Sequence, residues 1–282
     1  MKRYTLGLAL ASLALSTALV ALPARVSATV PGITPSASYP GLATAGTITF
    51  GTNFGYPPME MYVNGDASKP TGADVDLARE IGRRLGLKST FVNVTNFDTI
   101  IPGLQARHWD IIISSMNVTM EREKVVNFIQ YMYAGQSILV RKGNPEHIMG
   151  LPDLSGKTVA VQAGTTEVDS IKAQNVVLGQ KHKRLISYKT FPEDTTAVQQ
   201  VALGRFVADL NDSPVTAYDV KQNPSQFEIA GKPFAIAPYG MAFRKSDKAL
   251  LAAVNRVFGT MRKDGTYKRI LGKYGLASAA VK

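Results

Sequence analysis

The chain has 282 residues, 45% of them hydrophobic and 19% charged; that suits one large domain or two modest ones and excludes wholesale disorder. It contains no cysteine, which excludes disulfides, thiolate metal sites, a cysteine nucleophile and a lipid-anchor cysteine. The net charge of +11 is spread over the whole chain, with no basic run interleaved with aromatics, so no nucleic-acid partner is expected. The charge reads as solvated surface, with some attraction for anions or lipid headgroups left open. His108, His147 and His182 are far apart, so no metal site is expected.

Residues 1–28 have the form of a signal peptide. Lys2 and Arg3 form a positive start, Tyr4 to Leu22 is uncharged and rich in Leu and Ala, and Val26-Ser27-Ala28 supplies small residues for cleavage. The alternative is a retained anchor, since such a stretch could just span a bilayer. Cleavage after Ala28 would remove three basic residues and no acid, leaving a net charge of +8. Residues 29–45, rich in Pro, Gly, Ser, Thr and Ala, read as a flexible leader.

Beyond the leader, β-branched runs alternate with helical periodicity. Strands are expected at Thr47–Thr52, Ser89–Asn93, Asp110–Ser114, Gln136–Val140, Thr158–Val161, Leu185–Tyr188, Ala208–Asn211 and Tyr239–Phe243. Helices are expected at Asp74–Leu85, where Leu77, Ile81 and Leu85 share a face, and at Thr99–Ala106, Thr165–Ala173, Asp194–Leu203, Ser213–Gln222, Ser246–Asp264 and Thr266–Tyr274. This alternation predicts an α/β fold with mostly parallel sheets. It resets after the breaker cluster Arg141-Lys142-Gly143-Asn144-Pro145 and again at Pro233–Pro238. Two lobes joined by two crossing strands explain both seams: residues 46–137 with 240–282, and residues 138–239, with hinge strands near 136–142 and 233–241. Ligands of such sheets bind beyond the carboxyl ends of strands, here in the cleft between lobes.

Several motifs carry no chemistry. Gly156-Lys157-Thr158 lacks the earlier glycine of a phosphate loop and precedes a strand rather than opening a helix. Neither a G-x-S-x-G elbow nor H-E-x-x-H is present. Asp74 and Asp76, two apart on a helix, point about 200° from each other and read as helix-start charges on separate faces.

Three strand-to-helix junctions are more informative. Ser114 to Arg122 ends a strand in polar residues and opens a short helix at Thr119, where Arg122 offers a planar fork of donors for a carboxylate or for a neighbouring acid. Gln162-Ala163-Gly164-Thr165-Thr166 opens another helix, with N–H groups suited to an anion or simply a threonine cap. At Asn211-Asp212-Ser213-Pro214, Asp212 either caps a helix or faces an ammonium. One cationic fork, two sets of N–H donors and one carboxylate match the two charges of a free α-amino acid, which are costly to bury unless both are paired.

With these residues in view, the chain resembles the polar amino-acid-binding proteins of bacterial ABC importers, extracellular solute-binding protein family 3, over about Gly46 to Leu276. Gly72-Ala73-Asp74-Val75-Asp76-Leu77-Ala78-Arg79-Glu80-Ile81 resembles the family's Gly-aromatic-Asp-x-Asp-Leu-Ala-x-x-Ile helix, with Ala73 for the aromatic. Gly51 to Glu60 resembles its first strand and loop, with Met59 for the common Phe. Ser115 to Arg122 resembles its carboxylate-binding turn, and Val125 to Tyr133 its next segment, with Ile129-Gln130 for Ser-Asp. Gly204 to Pro214 resembles "GrvDavvnDsp", with Val207 for the first Asp and Asp212 retained.

The resemblance implies a two-lobed periplasmic binding protein fold of type II that closes on one ligand like a hinged trap. It implies that Arg122 holds the ligand carboxylate with the Asn117 and Thr166 amides, beside Thr165. Asp212, helped by Ser115, takes the ammonium. Tyr56 and Phe97 sandwich the ligand stem, and Asn53, Gln162 and Asn211 face its side chain. A neutral Asn53, where the family often has an acid, favours a polar neutral ligand such as glutamine. The expected protein is a non-catalytic, monomeric, periplasmic substrate carrier for an ABC permease, without cofactor. The alternative is a cyclohexadienyl or arogenate dehydratase-like enzyme on the same fold, needing a general acid that only Asp212 and Glu60 could supply.

Overall fold

A computed structural model describes residues 39–281. The signal peptide expected over 1–28 and most of the leader lie outside the described residues. Among the described residues no helix is long and apolar enough to cross a membrane.

Strand β1 (Thr47–Thr52) buries Ile48 and Phe50 completely. A loop carries the chain to a small ribbon of β2 (Met61–Tyr62) and β3 (Pro70–Thr71). Helix α1 (Ala73–Leu85) then buries Leu77, Ile81 and Leu85, the apolar stripe visible in the sequence, and ends on Gly86 in the left-handed conformation with Arg83 and Arg84 in its last turn. Gly72 before it has φ 129°, and a Cβ there would lie 2.0 Å from the Met59 carbonyl oxygen. Only glycine lets the helix start so close to the loop.

The remaining elements are β4 (Lys88–Asn93), α2 (Ile100–Gln105), β5 (Ile111–Ile112), α3 (Met120–Val125), β6 (Val126–Arg141), β7 (Thr158–Gln162), α4 (Thr166–Gln180), β8 (Ser187–Phe191), α5 (Asp194–Ala202), β9 (Ala208–Asp212), α6 (Ser213–Gln222), β10 (Phe227–Arg244), α7 (Lys248–Lys263) and α8 (Thr266–Lys273). The strand order is β4-β1-β5-β10-β6-β9-β7-β8. β4, β1 and β5 are parallel, as are β9, β7 and β8, while β6 and β10 run antiparallel to each other through the middle. The result is a mixed, mostly parallel sheet flanked by helices, in two lobes.

Hinge strands are expected near 136–142 and 233–241. The strands found there are longer, β6 of 16 residues and β10 of 18. Pro233 does not interrupt β10, because the ladder shifts register between Ala230 and Phe234; Pro238 stays in register opposite Tyr133. A bulge absorbs a residue that has no N–H to give. The Val126–Met132 part of β6 pairs with β10, with Met132 also bridging Ala280, and the Gln136–Val140 part pairs with both β10 and β9. One pair of strands therefore belongs to both halves of the sheet.

Other boundaries shift for local reasons. The strand expected at Asp110–Ser114 shrinks to Ile111–Ile112. Buried Asp110 leaves the ladder to accept the Ala43 and Thr49 N–H groups, each at 2.8 Å. The strand expected at Leu185–Tyr188 moves to Ser187–Phe191, leaving Leu185 exposed. The helix expected to end at Ala173 continues to Gln180, since no breaker precedes Gly179.

Each half has its own core. Ile48, Phe50, Leu77, Ile81, Tyr131, Met241, Val254 and Phe258 pack where α1, α7 and α8 cover one face of the first half. Ile138, Val159, Val161, Ile171 and Leu210 pack under α4 in the second. The C-terminal helices thus return to the first lobe. The carboxyl ends of β1, β5, β7 and β9 all point into the cleft between the halves.

Candidate functional site

The loop after β1 is pinched by reciprocal bonds between Tyr56 and Glu60, whose backbone N–H groups donate to each other's carbonyls at 2.9 and 3.1 Å. This places Tyr56 over the cleft and tucks Glu60 beneath it, almost fully buried. Asn53, at the end of the same strand, donates its backbone N–H to the Ser114 hydroxyl at 2.9 Å. After β5, the chain turns through Ser115 at a positive φ of 46°, directing the next residues at the cleft. Thr119 caps α3, its hydroxyl accepting the Arg122 N–H at 3.2 Å, and Arg122 reaches back into the cleft.

Arg122 donates to the Asn117 carbonyl at 2.8 Å and, across the cleft, to the Gly164 carbonyl at 2.9 Å. Its guanidinium lies 5.7 Å from the Phe97 ring centroid. Burial pulls its proton affinity below the usual arginine value, and Glu167, Asp169 and Asp212 oppose that. Three more bonds join the halves. Tyr56 donates its hydroxyl to Asp212 at 3.0 Å, Gln162 its amide to Asn53 at 2.8 Å, and Thr166 its hydroxyl to the Asn117 side chain at 2.9 Å. The cleft is closed in this conformation.

Within it lies a cavity lined by Asn53, Tyr56, Phe97, Ser115, Asn117, Arg122, Gln162, Thr165 and Asp212, together with Glu60, Ser114 and Glu167. The first nine were singled out from the sequence. Two others were not brought to its wall. Asn211, expected to face a ligand side chain, instead donates to Asp194 at 2.7 Å and accepts the Asp212 N–H at 2.7 Å, which fixes the strand end. Thr166 spends its hydroxyl on Asn117 and Gln136. Thr165 occupies the N-cap position of α4 without capping it, its hydroxyl turned back to the Gln162 carbonyl at 2.9 Å. Asp212 likewise stands at the N-cap of α6 with its carboxylate turned to Tyr56.

The three additions change the electrostatics. Three carboxyl groups now face one guanidinium. Burial raises Asp212 to about 6, against hydrogen bonds from Tyr239, Tyr56 and Glu167 that favour its charged form. Burial and the neighbouring Asp212 charge raise Glu167 well above the ordinary range, and a hydrogen bond joins the two acids. Glu60 is raised by burial and by Asp74, to which it is hydrogen-bonded. Its oxygens also accept the Ser114 hydroxyl at 3.0 Å and the Ser115 hydroxyl at 3.3 Å. Two acids that share a hydrogen bond need one proton between them.

Asp74 sits behind this wall. It accepts the Ser115 N–H at 2.8 Å and the Tyr131 hydroxyl at 2.8 Å, and burial raises it to about 6. Asp76 faces the other way, to Lys273 and Tyr274 at 2.6 and 2.8 Å. The two helix-start acids do lie on separate faces, and only Asp76 is a surface charge. Glu60 and Glu167 left weak signals in the sequence. Glu60 is a single acid between two methionines after Pro57-Pro58, and Glu167 in the first turn of α4 reads as an ordinary dipole-favoured charge. Among the described residues no cluster of His, Cys, Asp and Glu has a metal-binding arrangement.

Known proteins resemble this chain throughout. The family model described as bacterial extracellular solute-binding proteins, family 3, matches residues 48–277. The L-cystine-binding protein TcyJ of Escherichia coli (strain K12) is 31% identical over 230 residues, covering 81% of this chain and 82% of that protein. An ancestral arginine-binding protein bound to arginine is similar with a TM-score of 0.75 and 38% identity, over 82% of this chain and 98% of that one; an ancestral arginine-binding protein bound to glutamine matches at 0.74 and 38%, over 82% and 99%. An ancestral amino acid-binding protein, described as a precursor of cyclohexadienyl dehydratase, is similar with a TM-score of 0.71 and 39% identity, over 81% and 95%.

Proposed function

The chain belongs to the bacterial extracellular solute-binding proteins of family 3, and from that premise we propose that it is an exported, non-catalytic carrier. It captures a polar α-amino acid between its lobes and delivers it to an ABC importer permease. The lobes are residues 46–137 with 240–282, and residues 138–239. One observation carries this reading: half-buried Arg122 from one lobe and buried Asp212 from the other, oppositely charged, line the same closed cavity. A free amino acid brings a carboxylate to the first and an ammonium to the second, so that each buried charge gains a partner. Asn117 and the start of α4 stand beside Arg122 to share the carboxylate, and Tyr56 and Phe97 offer flat apolar surface to the stem. The amides of Asn53 and Gln162 support a polar side chain of the glutamine kind. The relatives extend the range, since their names record cystine, arginine and glutamine as ligands.

The test is calorimetric titration of the mature protein with all twenty amino acids, after unfolding and refolding to strip carried-over ligand. Tight binding of one amino acid or a narrow set is expected. Silence across the panel would overturn the reading.

A second reading rests on one observation. Burial raises Glu60 and Glu167 inside the cavity well above the ordinary carboxylate range, the direction a general acid needs. Measured turnover of prephenate or arogenate would replace the carrier role with a dehydratase-like one.

A further inference from the structure

Positive charge that is spread along the sequence is gathered by the fold. Beyond residue 28 the chain has a net charge of +8. Helices α7 and α8 together carry seven Lys and Arg residues and no Asp or Glu. Both pack with α1 over one face of the first lobe's sheet. α8 lies antiparallel to α1: Lys273 at its end reaches Asp76 at 2.6 Å, and Thr266 at its start accepts from Arg84 at 3.0 Å. The outer sides of three neighbouring helices therefore form one basic face.

Two grooves flank α8. The one toward α1 sets Arg79, Arg83, Arg269 and Lys273 against Asp76 and Glu80. Those acids are already matched, Asp76 by Lys273 at 2.6 Å, and Glu80 by Arg83 at 2.8 Å and Arg84 at 2.6 Å. The other groove, between α7, α8 and the C-terminal residues, carries Lys263 and Lys268 beside Tyr267, and no acid lines it among the described residues. Lys263, Lys268 and Arg269 are exposed and make no hydrogen bond or ion pair among the described residues. Unmatched cations on one face raise the local potential and draw anions toward it.

We propose that this face docks on the anionic headgroups of a phospholipid membrane. Lipid fits it better than other anionic partners do. None of the large hydrophobic side chains exposed on the described molecule lies on α1, α7 or α8, so the face lacks the anchors of a protein interface. The aromatics of α7 and α8, Phe258 and Tyr267, are buried, so nucleic-acid bases find no surface on which to stack. What remains is a broad field of cations on long flexible stems, suited to a fluid layer of phosphates. Each Lys or Arg brought near such a layer strengthens attachment about fivefold. The face belongs to one lobe, so the hinge can open and close while the protein is held. The inference goes beyond the carrier role and does not depend on which amino acid is carried.

The experiment is co-sedimentation of the full mature protein with vesicles of phosphatidylcholine alone or mixed with phosphatidylglycerol, at about 50 mM and about 300 mM NaCl, the higher salt shortening the reach of the charges. Binding to the mixed vesicles at low salt, release at high salt and no binding to phosphatidylcholine are expected. Lys263→Gln, Lys268→Gln and Arg269→Gln combined should weaken binding to the mixed vesicles at least about tenfold, with circular dichroism showing a folded chain. Removing the same charge from exposed residues of the second lobe, by Lys181→Gln, Lys183→Gln and Arg184→Gln together, should weaken it by less than about threefold. Equal losses in the two triple variants would mean that net charge binds rather than this face, and would overturn the inference. So would unchanged binding in the first variant, or no binding of the parent to the mixed vesicles. Capture of soluble polyglutamate without binding to the vesicles would give the face to an acidic polypeptide and overturn it as well. Each of these results leaves the carrier role standing, which the amino-acid titration tests separately.

Discussion

Lowering the pH should open the ligand cleft's grip in a calculable way. Asp212 is raised to about 6 by burial, held there against the Tyr56 hydroxyl bond of 3.0 Å. A bound α-ammonium favours the ionised carboxylate, so Asp212 in the complex ionises at a lower pH than in the empty cleft. Affinity is therefore full above about 6 and is lost as the pH falls through that value. At pH 5 the empty cleft holds Asp212 about ten parts protonated to one part ionised, so Kd should be about tenfold weaker than at pH 7.5, a change of about 1.4 kcal/mol. A single proton permits no more than about a tenfold change per pH unit. Arg122 contributes nothing to this slope, because a guanidinium does not titrate in the range. Calorimetric titration at pH 5, 6 and 7.5, with unfolding curves at the same values, separates the effect from loss of fold. A ligand with an uncharged side chain isolates Asp212, because it brings no second charge into the cavity. An affinity that stays level or rises between pH 7.5 and 5 would refute the assignment of Asp212 to the ammonium.

Three further outcomes are expected. Arg122→Ala should weaken amino-acid binding by at least tenfold, since a buried carboxylate loses its charged partner at about 2–5 kcal/mol, while the melting temperature changes little because α3 is short and its Thr119 cap remains; unchanged affinity by calorimetry sinks the site. Gly164→Ala should hinder closure, because φ is +75° and the added Cβ would lie 2.0 Å from an Asp98 oxygen on the facing lobe; small-angle scattering should show a more open molecule, and a closed one binding as tightly as the parent refutes the role of Gly164. The third concerns stability. Asp209 in β9 is fully buried, has no well-placed donor among the described residues, and faces Asp194 and Asp219, all raised above the ordinary carboxylate range by burial. A folded-state value above the unfolded one means stability is greatest at low pH and declines as pH rises through the folded value. Asp209→Asn should then stabilise the protein by about 1–3 kcal/mol at pH 8 in urea unfolding, and by less at pH 5; equal effects at both pH values contradict the charge argument.

What the sequence determined by itself is whatever depends on local order along the chain. The period of Leu77, Ile81 and Leu85 required α1, and the strand-helix alternation required a largely parallel sheet. Arg122 and Asp212 were legible because each stands at a strand-to-helix junction, where an α/β sheet delivers side chains to one edge. The breaker cluster near 143 stops β6 at Arg141, whereas only pairing showed β10 running unbroken past the cluster near 235, since a bulge is a property of two strands together. Burial was the other thing left to the tertiary structure. Glu167 in a first helical turn and Glu60 in a loop look solvated in any local window. Their carboxyl groups are raised above the ordinary range only because burial in the closed cleft removes the water that would favour the charged form. Asn211 shows the converse: its neighbour in sequence reaches the cavity, and it does not, because Asp194, seventeen residues away, holds its amide in the strand end. The frame of the site follows from sequence order, and its charge from which carboxyl groups the two lobes jointly desolvate.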